Sequence, residues 1–387
     1  MKKLAVPEAI AVLIGTIIGA GVFTLPYVAV NSGLITTLIW LIIISFITIY
    51  LHLAFGEIVL RTKKEFRLPG YVGHYLNSSA KKLILLTTFF TFSFSLLIYL
   101  LLGSQFLKVI LNSVWTDFSF PQGFLVIFLW LLFSLAILSK NKKLSRINFY
   151  LSFALLSLFF IIIIFALPHF QTENINFFNF TNHWGWLIPY GVLFFALNGM
   201  VAVPEAIKVL EIKGGKKEKL KKIIIIGTLI PAFCYLVFIL AVVGVSGSFT
   251  TLEAIEGLKG VLGNSIILLG AIFGFFAVST SYLMFASYIK SSFINDFKWS
   301  RFISYFLVII GPLLLYCLHL ENLVKLISFM GGMLGGLEGV MLILVLKKAK
   351  QKGEMEPAYQ VPLNKILVAV LITALVIGAL CQTFLVY

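Results

Sequence analysis

Runs of mostly apolar residues recur from one end of the chain to the other, and each is long enough to cross the hydrocarbon core of a bilayer, which takes about 20 residues of helix. Eleven such runs are read, at roughly 6–30, 33–60, 83–112, 122–139, 145–168, 184–208, 222–246, 263–290, 301–319, 322–347 and 363–386. They nearly fill the 387 residues. The longest polar stretches, 61–82, 169–183, 209–221, 247–262 and 348–362, leave no room for a soluble domain. The pattern predicts one all-α integral membrane domain of eleven transmembrane helices.

Composition narrows the class further. The chain is 60% hydrophobic and only 12% charged, with a mean hydropathy of +1.05. Soluble domains carry about 25% charged residues. Soluble enzymes, nucleic-acid binders, disordered regulators and secreted disulfide scaffolds are thereby set aside. Cys234, Cys317 and Cys381 lie singly in apolar runs and read as small buried hydrophobes. No cluster of Cys and His has metal-ligand spacing.

The net charge of +15 acquires its meaning from where the charges fall. With the N-terminus in the cytoplasm, 27 of the 30 Lys and Arg residues lie in segments on the inner side. Only Lys108, Lys259 and Lys325 fall elsewhere. A single missed or invented span would scramble that alternation. The expected topology is therefore N-terminus inside and C-terminus outside, and no anionic partner beyond lipid headgroups is required. The opening Met-Lys-Lys imitates a signal peptide, but the apolar run behind it continues to about Val30 through Gly15, Gly19, Gly21 and Pro26. It is read as the first span.

Spans one and six share a feature. In each, a glycine precedes a proline by five residues, Gly21 before Pro26 and Gly199 before Pro204. Glycine is a poor helix former, and proline lacks an N–H and clashes with the preceding turn. An offset of five spans makes the two halves enter the membrane from opposite sides. The expectation is a 5+5 inverted repeat, residues 1–168 against 184–347, with an additional helix at 363–386. Irregular backbone survives in a bilayer only where protein or water satisfies it, and broken helices in such repeats mark transporter binding sites. The glycines Gly331-Gly-Met-Leu-Gly-Gly336 in span ten read instead as a close-packing or sliding surface.

At these residues the sequence resembles the amino acid–polyamine–organocation superfamily. Residues 15–27, Gly-Thr-Ile-Ile-Gly-Ala-Gly-Val-Phe-Thr-Leu-Pro-Tyr, are similar to its first-helix signature. Glu57-Ile-Val-Leu-Arg-Thr62, Leu68-Pro-Gly-Tyr-Val-Gly-His-Tyr-Leu76 and Val203-Pro-Glu205 resemble the amino acid/auxin permease branch. Thr280-Ser-Tyr-Leu283 and Ile294-Asn-Asp296 resemble its bacterial hydroxy and aromatic amino acid permeases. The resemblance implies a LeuT-type fold with discontinuous helices 1 and 6, and cation-coupled uptake of neutral amino acids with aromatic or hydroxy side chains. It implies further that Ala20 and Gly21 cradle the substrate carboxylate. Thr16, Ile17, Phe195, Ala196 and Asn198 would surround the ammonium and side chain, with Tyr99 as a gate and Gly19 and Gly199 also counted in the substrate site. A free helix N-terminus suits the carboxylate, and unwound carbonyls suit the ammonium.

Two coupling ions stay open. Matched to sodium-coupled relatives, the carbonyls of Gly15, Ile18 and Ala277 and the hydroxyls of Thr280 and Ser281 form an oxygen set suited to a hard cation. Ala277, Thr280 and Ser281 share one helical face. A proton would instead need an acid. Glu205, Glu57, Glu338 and His52 are the candidates, Glu205 foremost because it follows the span-six break directly, with Glu57 read rather as an inner-gate ion pair with Arg61. His52 reads rather as a hydrogen-bonded structural residue. Span five carries only Arg146, so the lysine that replaces sodium in some relatives is absent. No charged ring of a channel and no catalytic cluster or phosphate loop is present. The alternatives kept are an amino acid sensor or an exchanger on the same fold. No cofactor is expected besides the coupling cation, and the expected partners are an amino acid and membrane lipids.

Overall fold

The computed structural model describes residues 5–114, 120–138, 157, 159–178, 185–295, 297–320 and 322–386. Among the described residues the chain is helical, with no strand. Span one is two helices, α1 (Ala5–Ile17) and α2 (Gly21–Ser32), bent by 55° at the break between them. Span two is α3 (Leu34–Arg61). A short helix α4 (Leu68–Tyr75) lies in what the polarity pattern gave as an inner loop. Pro69 opens it, placed in the first turn where its missing N–H costs nothing. Next come α5 (Ser78–Val114), α6 (Gln122–Leu138) and α7 (Phe159–His169). Span six is again divided, into α8 (Ile188–Ala196) and α9 (Ala202–Ile212). The remainder is α10 (Leu220–Ser246), the single turn α11 (Lys259–Leu262), α12 (Asn264–Asn295), α13 (Arg301–Cys317), α14 (Leu323–Phe329), α15 (Gly335–Lys352) and α16 (Lys365–Val386).

Among the described residues six helical runs are long and apolar enough to cross a membrane, or seven when the bent α1–α2 pair is taken as one. Four shorter apolar helices, including α6, α7 and α13, fall in the other segments read as spans. The part of span five that carries Arg146 lies outside the described residues. Large apolar side chains such as Ile42, Phe46, Leu135, Phe160 and Ile366 stand on the outside of the bundle. That surface fits a lipid solvent. For the same reason the cysteines depart from their reading as buried residues: Cys317 is exposed, and Cys234 and Cys381 are half-buried.

The glycines of span ten serve close packing. Between α14 and α15 the helix widens into a π-turn, Met330–Leu334, a form that often marks functional sites. There Gly331 lies against the backbone of Gly191 and Phe195, leaving no room for a side chain. Gly336 meets the Leu375 carbonyl on α16.

Candidate functional site

The two helix breaks press on each other. A β-carbon on Gly21 would lie 2.7 Å from the Cα of Ala196. One on Gly199 would collide with the Ile17 side chain. The two sequence-matched glycines are therefore the residues that let the breaks meet. Neither half-helix start is capped by a side chain, at Ala20 before α2 or at Val201 before α9. At the start of α9 the Ala202 and Val203 N–H groups go to the Gly199 and Met200 carbonyls and Pro204 has none, and at α2 the Phe23 N–H goes to the Ala20 carbonyl, so the anion-binding end is the α2 start, at Gly21 and Val22. The carbonyl ends are held together by Tyr235 of α10. Its fully buried hydroxyl lies 2.7 Å from the Ile17 carbonyl and 2.9 Å from that of Ala196, and its one hydrogen is shared between them. His52 braces the second break. Its Nε2 accepts from the Gly199 N–H at 3.0 Å. Its Nδ1 therefore carries the proton and donates to Thr228 Oγ1 at 3.0 Å, whose own hydrogen goes to the Ile224 carbonyl. This gives His52 the structural role expected of it, with named partners.

Around the breaks lies a narrow cavity of about 50 Å³. Thr16, Ile17, Gly19, Ala20, Gly21, Tyr99, Phe195, Ala196 and Asn198 all line it. Gly199 does not, because its N–H is turned to His52. Asn198 uses its side-chain oxygen on the Met200 N–H at 3.2 Å, so it first stabilises the break. The sequence reading missed the rest of the lining. Phe92, Phe285 and Tyr288 form an aromatic wall with Tyr99 and Phe195, with ring centroids 5.1–6.5 Å apart. Thr88, Thr91 and Ser95 present hydroxyl-bearing side chains from α5, and Met330 lies at the π-turn. Small-ligand pockets usually span about 300–1,000 Å³, so the cavity as it stands is smaller than an occupied site. The spacing 88, 91, 92, 95, 99 along one helical face was the available signal. It was hidden because α5 is apolar on every side.

The three candidate acids separate. Glu338 lines the cavity and is 94% buried, its exposure being 6%. Glu205 points away, half exposed, toward Lys208 at 3.5 Å and Arg67 at 3.9 Å. Arg67 also caps the Tyr288 ring at 4.9 Å and so joins one end of the aromatic wall to that ion pair. Glu57, fully buried, holds Arg61 at 2.8 Å, Lys350 at 3.0 Å and the Val361 N–H. The ion pair with Arg61 is widened by Lys350 of α15 and by Val361 in the segment after it. Tyr359 of the same segment donates to the Leu53 carbonyl at 2.8 Å, and the Arg61 carbonyl accepts from the Glu354 and Met355 N–H groups. Neither Glu205 nor Glu57 reaches the cavity. His74, read as lying in an inner loop, belongs to α4 and faces Glu354 at 3.4 Å.

Of the oxygen set read as a cation site, Ser281 Oγ lies against Gly19, 3.4 Å from where a β-carbon would sit. This puts α12 beside the α1–α2 break. Thr280 donates to the Phe276 and Ala277 carbonyls, each at 3.0 Å. Gly15 and Ile18 are buried on the α1 side. Among the described residues no group of three His, Cys, Asp or Glu side chains fits a metal ion.

Two interrupted helices meet at a small, partly open cavity inside an apolar helical bundle, and the family match makes the chain a multi-pass membrane permease. Residues 2–382 match the tryptophan/tyrosine permease family, and the chain belongs to that family. It is 25% identical over 357 residues to glutamine transporter 2 of Aliivibrio fischeri, covering 90% of each chain. Its fold is that of MhsT, solved in complex with L-phenylalanine, with a TM-score of 0.65 at 16% identity over 99% of this chain and 98% of that one. Mhp1, a nucleobase-cation-symport-1 family transporter solved in a closed conformation with bromovinylhydantoin bound, matches at a TM-score of 0.63 and 13% identity, covering 98% and 90%. The chain is thus a homologue of amino acid transporters with the LeuT-type fold.

Proposed function

We propose that the protein is a cation-coupled symporter of neutral amino acids, working by alternating access through eleven spans with the N-terminus inside. The placement is in the amino acid/auxin branch of the amino acid–polyamine–organocation superfamily. The observation that carries the reading is the meeting of two uncapped helix breaks at one cavity. A zwitterion needs donors at one end and acceptors at the other, and the breaks supply both. The N–H groups at the α2 start, at Gly21 and Val22, take the carboxylate. Carbonyls near Thr16, Ile17 and Ala196 take the ammonium, with Tyr99 and Phe195 closing over the side chain. Tryptophan and tyrosine in the family's description, and the glutamine of the similar transporter, share a neutral side chain ending in an N–H or O–H group.

Sodium would sit among the carbonyls of Gly15, Ile18 and Ala277 and the hydroxyls of Thr280 and Ser281. The contact of Ser281 with Gly19 supports that placement. A proton would ride on Glu338, the one of the three acids that faces the cavity. The test is uptake of labelled amino acids into proteoliposomes under inward sodium or proton gradients, with and without an inside-negative potential. Sodium-driven uptake lost in Thr280→Ala or Ser281→Ala assigns the ion to this oxygen set. Proton-driven uptake indifferent to both substitutions moves the coupling to Glu338. Counterflow without accumulation under any gradient makes the protein an exchanger. No transport alongside a working reconstitution control rejects the transporter reading in favour of a sensor.

A further inference from the structure

We propose that Glu338 is a specificity-determining residue: its carboxyl oxygen accepts a hydrogen bond from the end of the substrate's side chain, so the site prefers neutral amino acids that end in N–H or O–H. The inference rests on the transport reading above and gives Glu338 a role distinct from the proton carrier named there.

The cavity has two kinds of wall. Phe92, Tyr99, Phe195 and Phe285 supply flat apolar faces. The hydroxyls of Thr88 and Thr91 and the Oε1 of Glu338 are each buried and make no close hydrogen bond among the described residues, with the Thr91 hydroxyl standing beside the Glu338 carboxyl. Buried polar groups are nearly always paired. The loosely held carboxyl of Glu338 and the unpartnered Thr88 hydroxyl therefore mark where a bound molecule brings its own polar group. Around the breaks His52 bonds Gly199 and Thr228, the Asn198 side-chain oxygen accepts from Met200, and Tyr235 bonds Ile17 and Ala196.

The Glu338 and Thr88 groups lie apart from where the zwitterion's charges bind. Tyr99 packs beside Phe195 at the second break. Thr91 is two turns earlier on α5, about 12 Å along the helix axis. The breaks thus hold the charged end, the rings hold an apolar body, and the polar tip meets Glu338. Among the described residues no base stands within ion-pair distance of Glu338, whereas Glu57 and Glu205 both have cations. A neutral donor completes the bonding of such a carboxyl without introducing a second buried charge. A site built to bond an O–H or N–H rejects the analogue lacking it far better than an apolar pocket separates similar sizes.

Counterflow of labelled L-tyrosine into proteoliposomes reads this out through competition. The pairs are tyrosine against phenylalanine, and tryptophan against benzothienylalanine, in which sulfur replaces the indole N–H. The expected result is a wild-type preference of roughly tenfold or more for the donor-bearing member of each pair. In Glu338→Leu both ratios fall toward one. Thr91→Val lowers them by a smaller factor. The ratios do not depend on how much of a variant folds, and the wild-type ratio tests the idea even where Glu338→Leu does not accumulate. Equal competition within each wild-type pair overturns the inference, as do ratios unchanged in Glu338→Leu. Strongest competition by lysine or arginine overturns it too, because the carboxylate would then be a counter-charge. Loss of proton drive in Glu338→Leu with intact ratios assigns Glu338 to coupling instead and overturns the specificity role. A wild-type protein with no counterflow of any amino acid rejects the transport reading itself and this inference with it.

Discussion

Removing a single oxygen from Tyr235 tests whether the two helix breaks are held by one hydroxyl. Tyr235→Phe keeps the ring, which is fully buried, and deletes the donor to the Ile17 and Ala196 carbonyls. Each carbonyl closes a half-helix, so each has no intrahelical donor. The hydroxyl has one hydrogen, so one hydrogen bond is lost rather than two. Leaving a buried acceptor without a partner costs about 1–3 kcal/mol. Tyr282→Phe is the internal control. It removes an equally buried hydroxyl that, among the described residues, has no partner. That change should be neutral or slightly stabilising. The assay is paired: thermal unfolding of the purified protein in detergent, and concentration dependence of counterflow in proteoliposomes. Tyr235→Phe should unfold at a clearly lower temperature than wild type and bind substrate about tenfold more weakly, the equivalent of roughly 1.4 kcal/mol. Tyr282→Phe should match wild type in both. Equal behaviour of the two variants would refute the claim that Tyr235 ties the breaks together.

Three further outcomes follow from the geometry. Gly21→Ala places a methyl group 2.7 Å from the Cα of Ala196. It should cost about 1–3 kcal/mol through overpacking and suppress transport, measured by the same melting and counterflow assays. Glu57→Gln leaves Arg61 and Lys350 together without their shared carboxylate. It should destabilise by about 3–5 kcal/mol, seen as reduced yield of folded protein and a lower unfolding temperature. Glu253, in the segment between α10 and α12, is buried, and burial pushes its carboxyl above the usual carboxylate range. A carboxyl raised on folding contributes stability that is complete below its unfolded value and is lost as pH rises through the folded one. Unfolding temperature should therefore fall as pH rises through that raised value, and Glu253→Gln should abolish that part of the slope.

Along the chain, hydrophobic run length was sufficient to announce a membrane protein made of helices, because a bilayer imposes one length scale on every span. Gly21 and Gly199 were legible as the helix breaks. Glycine and proline disturb helices locally, and a repeat of that disturbance five spans apart is visible in one dimension. The residues nearest the breaks, from Thr16 to Gly21 and from Phe195 to Asn198, followed from that reading. What only the tertiary structure decided was which side chains from other helices turn inward. Tyr235, Thr88, Thr91, Phe92, Phe285 and Tyr288 lie on helices with apolar residues on every face, since lipid and protein interior ask for the same kind of side chain. No amphipathic stripe points to the cavity, so rotation about each helix axis cannot be read from the pattern. The three acids make the point sharply. Each sits in or beside an apolar run, yet Glu57 turns to Arg61 of its own helix and Lys350 of α15, and Glu205 to Lys208 of its own helix and Arg67 just before α4, while Glu338 turns into the cavity. That choice depends on partners brought in from distant parts of the chain, and only packing in three dimensions supplies them.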